Sequence, residues 1–139
     1  MQVIIEQLCE DNLDLLRTCD PDIFDAKIDR SRLEEFLSEA NHILLVAINN
    51  GIVIGQVSSI IQKSIDKPSE IYIDNLAVSE EHRRKGVATK MLREIFKIGA
   101  SKGCRQVWLA TEPENEKAKR LYQSLSLQNK KAIIFEGDL

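Results

Sequence analysis

A strand pattern, a short basic connection and a helix pattern follow one another between residues 70 and 102, and they constrain the fold more than any other feature. Residues 70–78, EIYIDNLAV, form an apolar run of strand length. Residues 87–102 repeat apolar side chains at helical spacing, at Val87, Met91, Leu92, Ile95, Phe96 and Ile98. A helix that crosses over between strands requires parallel neighbours, so the segment predicts a sheet with helices packed on it.

The connection from Arg83 to Thr89 has the composition of an anion-binding helix start. The first N–H groups of a helix lack internal partners, and the helix dipole favours a negative charge beside them. Gly86 lets phosphate oxygens approach the backbone, while Arg83, Arg84 and Lys85 add charged donors. Basic residues at an exposed helix N-terminus otherwise cost ~0.3–1 kcal/mol each, so three in succession favour a bound anion over a merely solvated helix start.

Composition restricts the class of protein. A length of 139 residues predicts a single domain over 1–139, and 43% hydrophobic with 29% charged residues is typical of a soluble globular protein. A net charge of −3 argues against nucleic-acid binding. No apolar run reaches the roughly 18 residues of a membrane span, and the acidic N-terminus is unlike a signal peptide, so a cytoplasmic protein without a membrane partner is expected. Three cysteines and two histidines without ligand spacing predict no metal site.

The periodicity along the chain predicts a mixed α/β (α+β) fold with a mostly antiparallel sheet flanked by helices. Ser31 is the predicted cap of the second helix, with Glu34 at the capping-box position, and Asn-Asn-Gly at 49–51 predicts a hairpin turn. Trp108 and Phe96 are assigned to the core. Strands are expected at 3–8, 42–48, 52–61, 71–78, 104–110 and 132–136, and helices at 10–18, 31–40, 87–102 and 115–125.

Two segments of the chain resemble a known family. Arg-x-x-Gly-x-Ala at 83–88, after a strand ending in Leu-Ala-Val, is similar to the acetyl-CoA signature of the general N-acetyltransferase (GNAT) superfamily, and Asn115, Ala118, Leu121 and Tyr122 match its second segment. The succession of elements resembles the GNAT acyl-CoA N-acyltransferase fold over nearly the whole chain. Residues 68–86 look like the aminoglycoside 3-N-acetyltransferase branch, which implies a small-molecule amine acceptor, the 3-amino group of an aminoglycoside.

The resemblance implies acetyl-CoA as co-substrate and assigns residues to it. Backbone N–H groups from Arg84 to Thr89 would hold the pyrophosphate, and the freed backbone of residues 76–78 would pair with the pantetheine arm. Asn115 would cap its helix and contact the cofactor. The implied cofactor-binding residues are Leu76, Ala77, Val78, Arg83, Arg84, Lys85, Gly86, Val87, Ala88, Thr89 and Asn115.

Two residues are candidates for proton transfer. In the family, a tyrosine at the position of Tyr122 protonates the departing CoA thiolate; without the family, a core position is the favoured interpretation of Tyr122. Asp74 is the candidate general base, because an aspartate inside a buried strand is costly without a function or a partner; the alternative is an exposed or salt-bridged aspartate. Strict alternation puts Asp74 beside Leu76, and Asn75 on the opposite face with Ile73. The aminoglycoside branch usually carries its aspartate where this chain has Asn75.

An acidic segment precedes the second strand, and in the superfamily this region commonly borders the acceptor. Its carboxylates would suit a cationic acceptor: an aminoglycoside, a polyamine, or a protein or peptide amine. Readings from other classes are a non-catalytic acyl-CoA-binding module and a structural or interaction protein. Exposed edge strands of such folds also lead us to expect a homodimer. The acids in question are Asp20, Asp22, Asp25, Asp29, Glu34 and Glu35.

Overall fold

The computed structural model describes every residue from Met1 to Leu139 and divides into two compact units, Met1–Leu109 and Ala110–Leu139. The prediction of one domain over 1–139 stays a prediction. The first unit contains β1 (Ile4–Gln7), 3₁₀ helices at Glu10–Arg17, Pro21–Ile23 and Glu80–His82, α1 (Arg30–Ser38), β2 (His42–Asn49), β3 (Ile52–Gln62), β4 (Glu70–Val78), α2 (Val87–Ser101) and β5 (Gln106–Trp108). The second unit contains α3 (Glu116–Ser124).

The five strands form one sheet in the order β1-β2-β3-β4-β5. The first four pair antiparallel, while β5 pairs parallel to β4 because α2 crosses over between them. Asn50 and Gly51 join β2 to β3 with φ angles of 51° and 76°, as the Asn-Asn-Gly turn signal predicts. The predicted mixed, mostly antiparallel sheet flanked by helices is confirmed.

One face of the sheet packs against α2. Met91, Leu92 and Ile95 are fully buried at helical spacing, as the apolar periodicity predicts. Gly99 permits close approach, since a Cβ there would lie 3.3 Å from the side chain of Ile71. A Cβ on Gly55 would lie 3.1 Å from the Met91 methyl, so residue 55 of β3 also faces α2. We call this side of the sheet the helix face.

The opposite face carries a second hydrophobic core beneath the segment between β1 and β2. Leu13 and Ile23 of the 3₁₀ helices are buried in this core, and Leu33, Phe36 and Leu37 of α1 are partly buried against it. The core is formed by Leu8, Leu13, Ile23, Leu44, Val46 and Val53. Because Gln56 follows Gly55 on β3, its side chain points to this side, which we call the open face.

A β-bulge interrupts β4 at Asp74. Ser58 pairs with Asn75 while the next residue, Ser59, pairs with Ile73, which leaves Asp74 as an extra residue. The bulge reverses the alternation of side chains, so Asn75 lies on the open face and Leu76 returns to the helix face. The face assignment predicted from strict alternation is therefore wrong beyond Ile73.

Other expectations differ from the structure at the ends of elements. Asp29, and not Ser31, caps α1 by accepting a hydrogen bond from the Arg32 N–H at 3.1 Å. The strand expected at 132–136 is absent; Ile133, Ile134 and Phe135 are irregular and 80%, 71% and 90% exposed. Trp108 is 44% exposed and not a core residue. All the helices are too short or too polar to cross a bilayer.

Candidate active site

The two parallel strands of the sheet separate and leave an open backbone edge. β5 pairs with β4 only from Glu70 to Tyr72, so the rest of β4, from Ile73 to Val78, has no strand on that side. Its other side is paired with β3 from Glu70 to Val78, except at the bulge residue Asp74. Backbone groups along an unpaired edge are free to bond an extended ligand. The edge includes residues 76–78, where the family resemblance implies binding of the pantetheine arm; that role stays a prediction.

The basic connection after β4 holds an unusual backbone at the start of α2. Gly86 is the N-cap residue with φ 80°, and a Cβ there would project into open space. Arg84 also has a positive φ, 62°, which is uncommon for a residue with a side chain. No side chain caps α2, so the N–H groups of Val87, Ala88 and Thr89 stay free for an anion.

The three basic side chains of this connection differ in their roles. The Arg83 Nε donates to the Val78 carbonyl at 2.9 Å, so Arg83 fixes the connection to the end of β4. Arg84 and Lys85 are exposed and have no protein partner. The arrangement fits a diphosphate at the helix start, with Arg84 and Lys85 as its flexible cations. That all the residues from Arg83 to Thr89 bind the cofactor stays a prediction.

The open face of the sheet carries an aromatic pair and a chain of amides ending in a carboxylate. Tyr72 and Trp108 are register partners on β4 and β5, with ring centroids 4.4 Å apart. The Gln56 Nε2 donates to the Ile23 carbonyl and to the Asn75 Oδ1, each at 3.0 Å. The Asn75 Nδ2 in turn donates to the Asp25 Oδ2 at 3.3 Å. Sequence reasoning missed Gln56 entirely, because a glutamine inside an apolar strand carries no recognisable signal.

Asp74 is exposed at the bulge and makes no hydrogen bond or ion pair. The argument that a buried aspartate must be partnered or functional does not apply to it. The side chain is exposed, as the alternative interpretation expects, and a role as general base for Asp74 stays a prediction.

The predicted acidic segment resolves into several roles. Asp29 caps α1, and Glu34 pairs with Arg30 at 2.8 Å. Partial burial and the neighbouring Asp22 carboxyl raise the pKa of Asp20 above its usual value. Asp20 and Asp22 also line an open cavity of about 560 Å³. Its lining residues are Arg17, Thr18, Cys19, Asp20, Asp22, Ile52, Glu80 and Glu81. Its carboxylates outnumber its one cationic side chain, which suits positively charged solutes.

The second unit holds the other two predicted site residues on α3. Asn115 caps the helix, its Oδ1 accepting from the Ala118 N–H at 3.1 Å, as predicted. Tyr122 is partly buried, and burial raises the pKa of its phenol above the ordinary value of 10.0. A phenol with a raised pKa stays protonated near neutral pH and can donate a proton.

Comparison with known proteins places the chain. The model of the acetyltransferase (GNAT) family matches residues 9–126. The aminoglycoside N(6')-acetyltransferase type 1 of Salmonella typhimurium is 27% identical over 107 residues, covering 73% of each chain. An aminoglycoside acetyltransferase from an uncultured soil metagenomic sample superposes with a TM-score of 0.86 at 23% identity, covering 100% of this chain and 99% of that one.

A third relative is AAC(6')-Iy, solved with the bisubstrate analogue CoA-S-monomethyl-acetylneamine. It has a TM-score of 0.83 at 23% identity and covers 100% of this chain and 99% of its own. At this identity the structural matches establish a shared fold.

The chain belongs to the GNAT family of acetyltransferases, because the family model matches most of its length. It is thus an enzyme that takes its acetyl group from acetyl-CoA, as the sequence predicts. The similarity to the 3-N branch is not confirmed, since the aminoglycoside relatives with a stated position are 6'-acetyltransferases.

Proposed function

We propose that this protein transfers an acetyl group from acetyl-CoA to a primary amine of an aminoglycoside or a similar small polycationic amine. The observation that carries the proposal is the unpaired edge of β4, which leads to a basic, uncapped helix start in a chain of the GNAT family. The pantetheine arm would lie along the unpaired edge of β4 and hydrogen-bond to its backbone, as an added strand does. The diphosphate would accept hydrogen bonds from the free N–H groups at the start of α2.

Acetyl transfer in this proposal is a direct attack. The acceptor must lose a proton before its nitrogen attacks the thioester carbonyl, and Asp74 or a relayed water is the proposed base. A backbone N–H in the segment 76–78 would stabilise the oxyanion. As the C–S bond breaks, Tyr122 would donate its proton to the thiolate, which gives free CoA and the N-acetylated product.

The aminoglycoside acceptor rests on relatives and on charge. Exposed carboxylates on the open face and around the acidic cavity would attract a polycation. The 3-amino group remains a candidate position, but the stated relatives favour the 6'-amino group. The homodimer expected from the sequence is checked by light scattering and carries no part of this proposal.

The test measures release of CoA by thiol titration, with acetyl-CoA and one of three acceptors. These are the aminoglycoside sisomicin, the polyamine spermidine and a lysine-containing peptide. Turnover with sisomicin supports the proposal, and mass spectrometry with NMR of the product identifies the acetylated nitrogen. Turnover with spermidine alone would keep a small polycationic amine as acceptor and discard the aminoglycoside. Turnover with the peptide alone would keep the enzyme class and replace the acceptor.

A different result would favour the acyl-CoA-binding module. If acetyl-CoA raises the melting temperature while none of the amines gives turnover, catalysis is contradicted and binding is retained. If CoA gives no stabilisation either, the cofactor assignment itself is wrong.

A further inference from the structure

The chain of side-chain amides on the open face has only one direction in which its hydrogen bonds can run. The Ile23 carbonyl accepts and never donates, so the group of Gln56 beside it must be the NH₂. The same NH₂ meets Asn75, which must therefore present its carbonyl oxygen to it. The Asn75 NH₂ is left to face Asp25, and it can only donate there. A backbone carbonyl thus fixes the polarity of the whole chain.

The burial of Gln56 supports a purpose beyond packing. Gln56 is 0% exposed, and its Oε1 has no hydrogen-bond partner. A buried amide oxygen without a partner costs free energy, on the order of 1–3 kcal/mol, that an apolar side chain of similar size would avoid. The side chain is an amide although β3 is otherwise mostly apolar, and its NH₂ donates both to the Ile23 carbonyl and to the Asn75 Oδ1.

The chain of hydrogen bonds ends at the Asp25 carboxylate, of which only one oxygen has a partner in the protein. The Asp25 Oδ2 is held by Asn75, whereas the Asp25 Oδ1 has no protein partner and the side chain is exposed. Asn75 lies on the open face, next to the bulge. The same face also carries Tyr72 and the exposed Trp108. A fixed carboxylate on a face with accessible aromatic rings suits an ammonium group, which both carboxylate and ring attract.

We propose that Asp25 is the carboxylate that binds the ammonium group of the acceptor, and that Gln56 is a positioning residue acting on Asp25 through Asn75. The inference rests on the proposed acetyl transfer to a small polycationic amine and adds the residue that recognises it. Asn75 itself becomes the connection between the sheet and the loop.

The experiment compares Asp25→Asn with Asp11→Asn, which removes the same charge from an exposed aspartate that lies outside the acidic cavity and outside the amide chain. We expect Asp25→Asn to raise the KM for sisomicin roughly tenfold, the loss of about one charge-assisted hydrogen bond, with kcat little changed. Asp11→Asn should change this KM by about twofold or less, as a screened exposed charge does. Equal effects of the two variants would reduce Asp25 to one part of a general acidic field and would overturn the proposal.

A double-mutant cycle tests the positioning role. Gln56→Leu removes the donors that orient Asn75, so the KM for sisomicin should rise roughly threefold in the otherwise native protein. The same change should have almost no effect when Asp25→Asn is already present, because the group being positioned is gone. Additive effects would show that Gln56 acts through the fold alone. If Gln56→Leu fails to fold, Asn75→Ala at a half-buried position replaces it in the cycle.

Calorimetric binding of sisomicin separates this inference from the proposed function. A wild-type protein that binds sisomicin but does not acetylate it contradicts the proposed function, and weaker binding by Asp25→Asn still supports the role of Asp25. Absence of sisomicin binding by the wild type, or equal binding by both proteins, overturns the role of Asp25 whatever the turnover.

Discussion

At the scale of single residues, the polar groups that make no hydrogen bond within the protein determine how a side chain can bind a ligand. The Arg83 Nε donates a hydrogen bond to the Val78 carbonyl, whereas the side chains of Arg84 and Lys85 have no partner in the protein. The Asn115 Oδ1 accepts a hydrogen bond from the Ala118 N–H at the start of α3, while its NH₂ group has no partner. Composition counts such residues as equals, but their remaining donors decide what each can do with a ligand.

Tyr122 is the residue whose removal bears most directly on catalysis. Replacing it by phenylalanine should lower kcat by roughly 10²-fold or more, as loss of a general acid does, while CoA binding measured by calorimetry stays the same. Because burial raises the pKa of Tyr122 above 10.0, its ionisation should cause no decline of wild-type activity below about pH 10. A Tyr122→Phe variant with native kcat would exclude the phenol as proton donor.

The requirement for glycine at position 86 comes from its backbone conformation and not from a lack of space for a side chain. Its φ of 80° is costly for any residue with a Cβ, although a Cβ would contact nothing. Gly86→Ala should therefore destabilise the protein by about 1–2 kcal/mol in urea unfolding and raise the Kd for CoA. Gly137→Ala is the matched control, because that glycine also has open space around its Cβ but no positive φ. A native Kd for Gly86→Ala would argue against phosphate binding at this turn.

At the scale of elements, the end of α3 shows a helix stopping without the usual glycine. Ser126 takes a φ of 66°, its N–H bonds to the Gln123 carbonyl, and the Leu127 N–H bonds to the Tyr122 carbonyl. This pair of bonds is the Schellman ending, in which glycine is preferred at the left-handed position. Serine therefore occupies a backbone position that a side chain makes costly.

Ser126→Gly should stabilise the protein by on the order of 1 kcal/mol, since it removes the penalty of a side chain in the left-handed region. Urea unfolding measures the change. Ser124→Gly, at the last residue of α3, should instead destabilise the protein by roughly 0.5 kcal/mol, because glycine is a poorer helix former than serine. Equal signs for the two variants would contradict the assigned ending.

Local patterns predicted the elements that carry their own signal. The helical repeat from Val87 and the turn at Asn50 and Gly51 needed no information from distant residues. The bulge at Asp74 could not be predicted in this way, because it exists only in the pairing with Ser58 and Ser59. The strand expected around Ile133–Phe135 failed for the opposite reason: strand propensity requires a partner strand, and none pairs there.

At the scale of the whole molecule, the candidate site depends on contacts far apart in sequence. Asn75 and Asp25 are 50 residues apart, and Gln56 and Ile23 are 33 apart. The family resemblance supplied the helix start and Tyr122, which lie in recognisable segments. It supplied nothing about Gln56, since the neighbours that give an amide its meaning are assembled only by folding.

The open edge of β4 also determines how the protein should behave before any substrate is chosen. Amides of residues 73–78 that point away from β3 have no ladder partner, so they should exchange their hydrogens quickly in deuterated water. Amides that point toward β3 should exchange slowly. Acetyl-CoA should slow only the first set, in an alternating pattern along one strand, and uniform protection would argue against cofactor binding at this edge. A strand that is half protected and half exchangeable thus records occupancy of its edge residue by residue, in the absence of any acceptor.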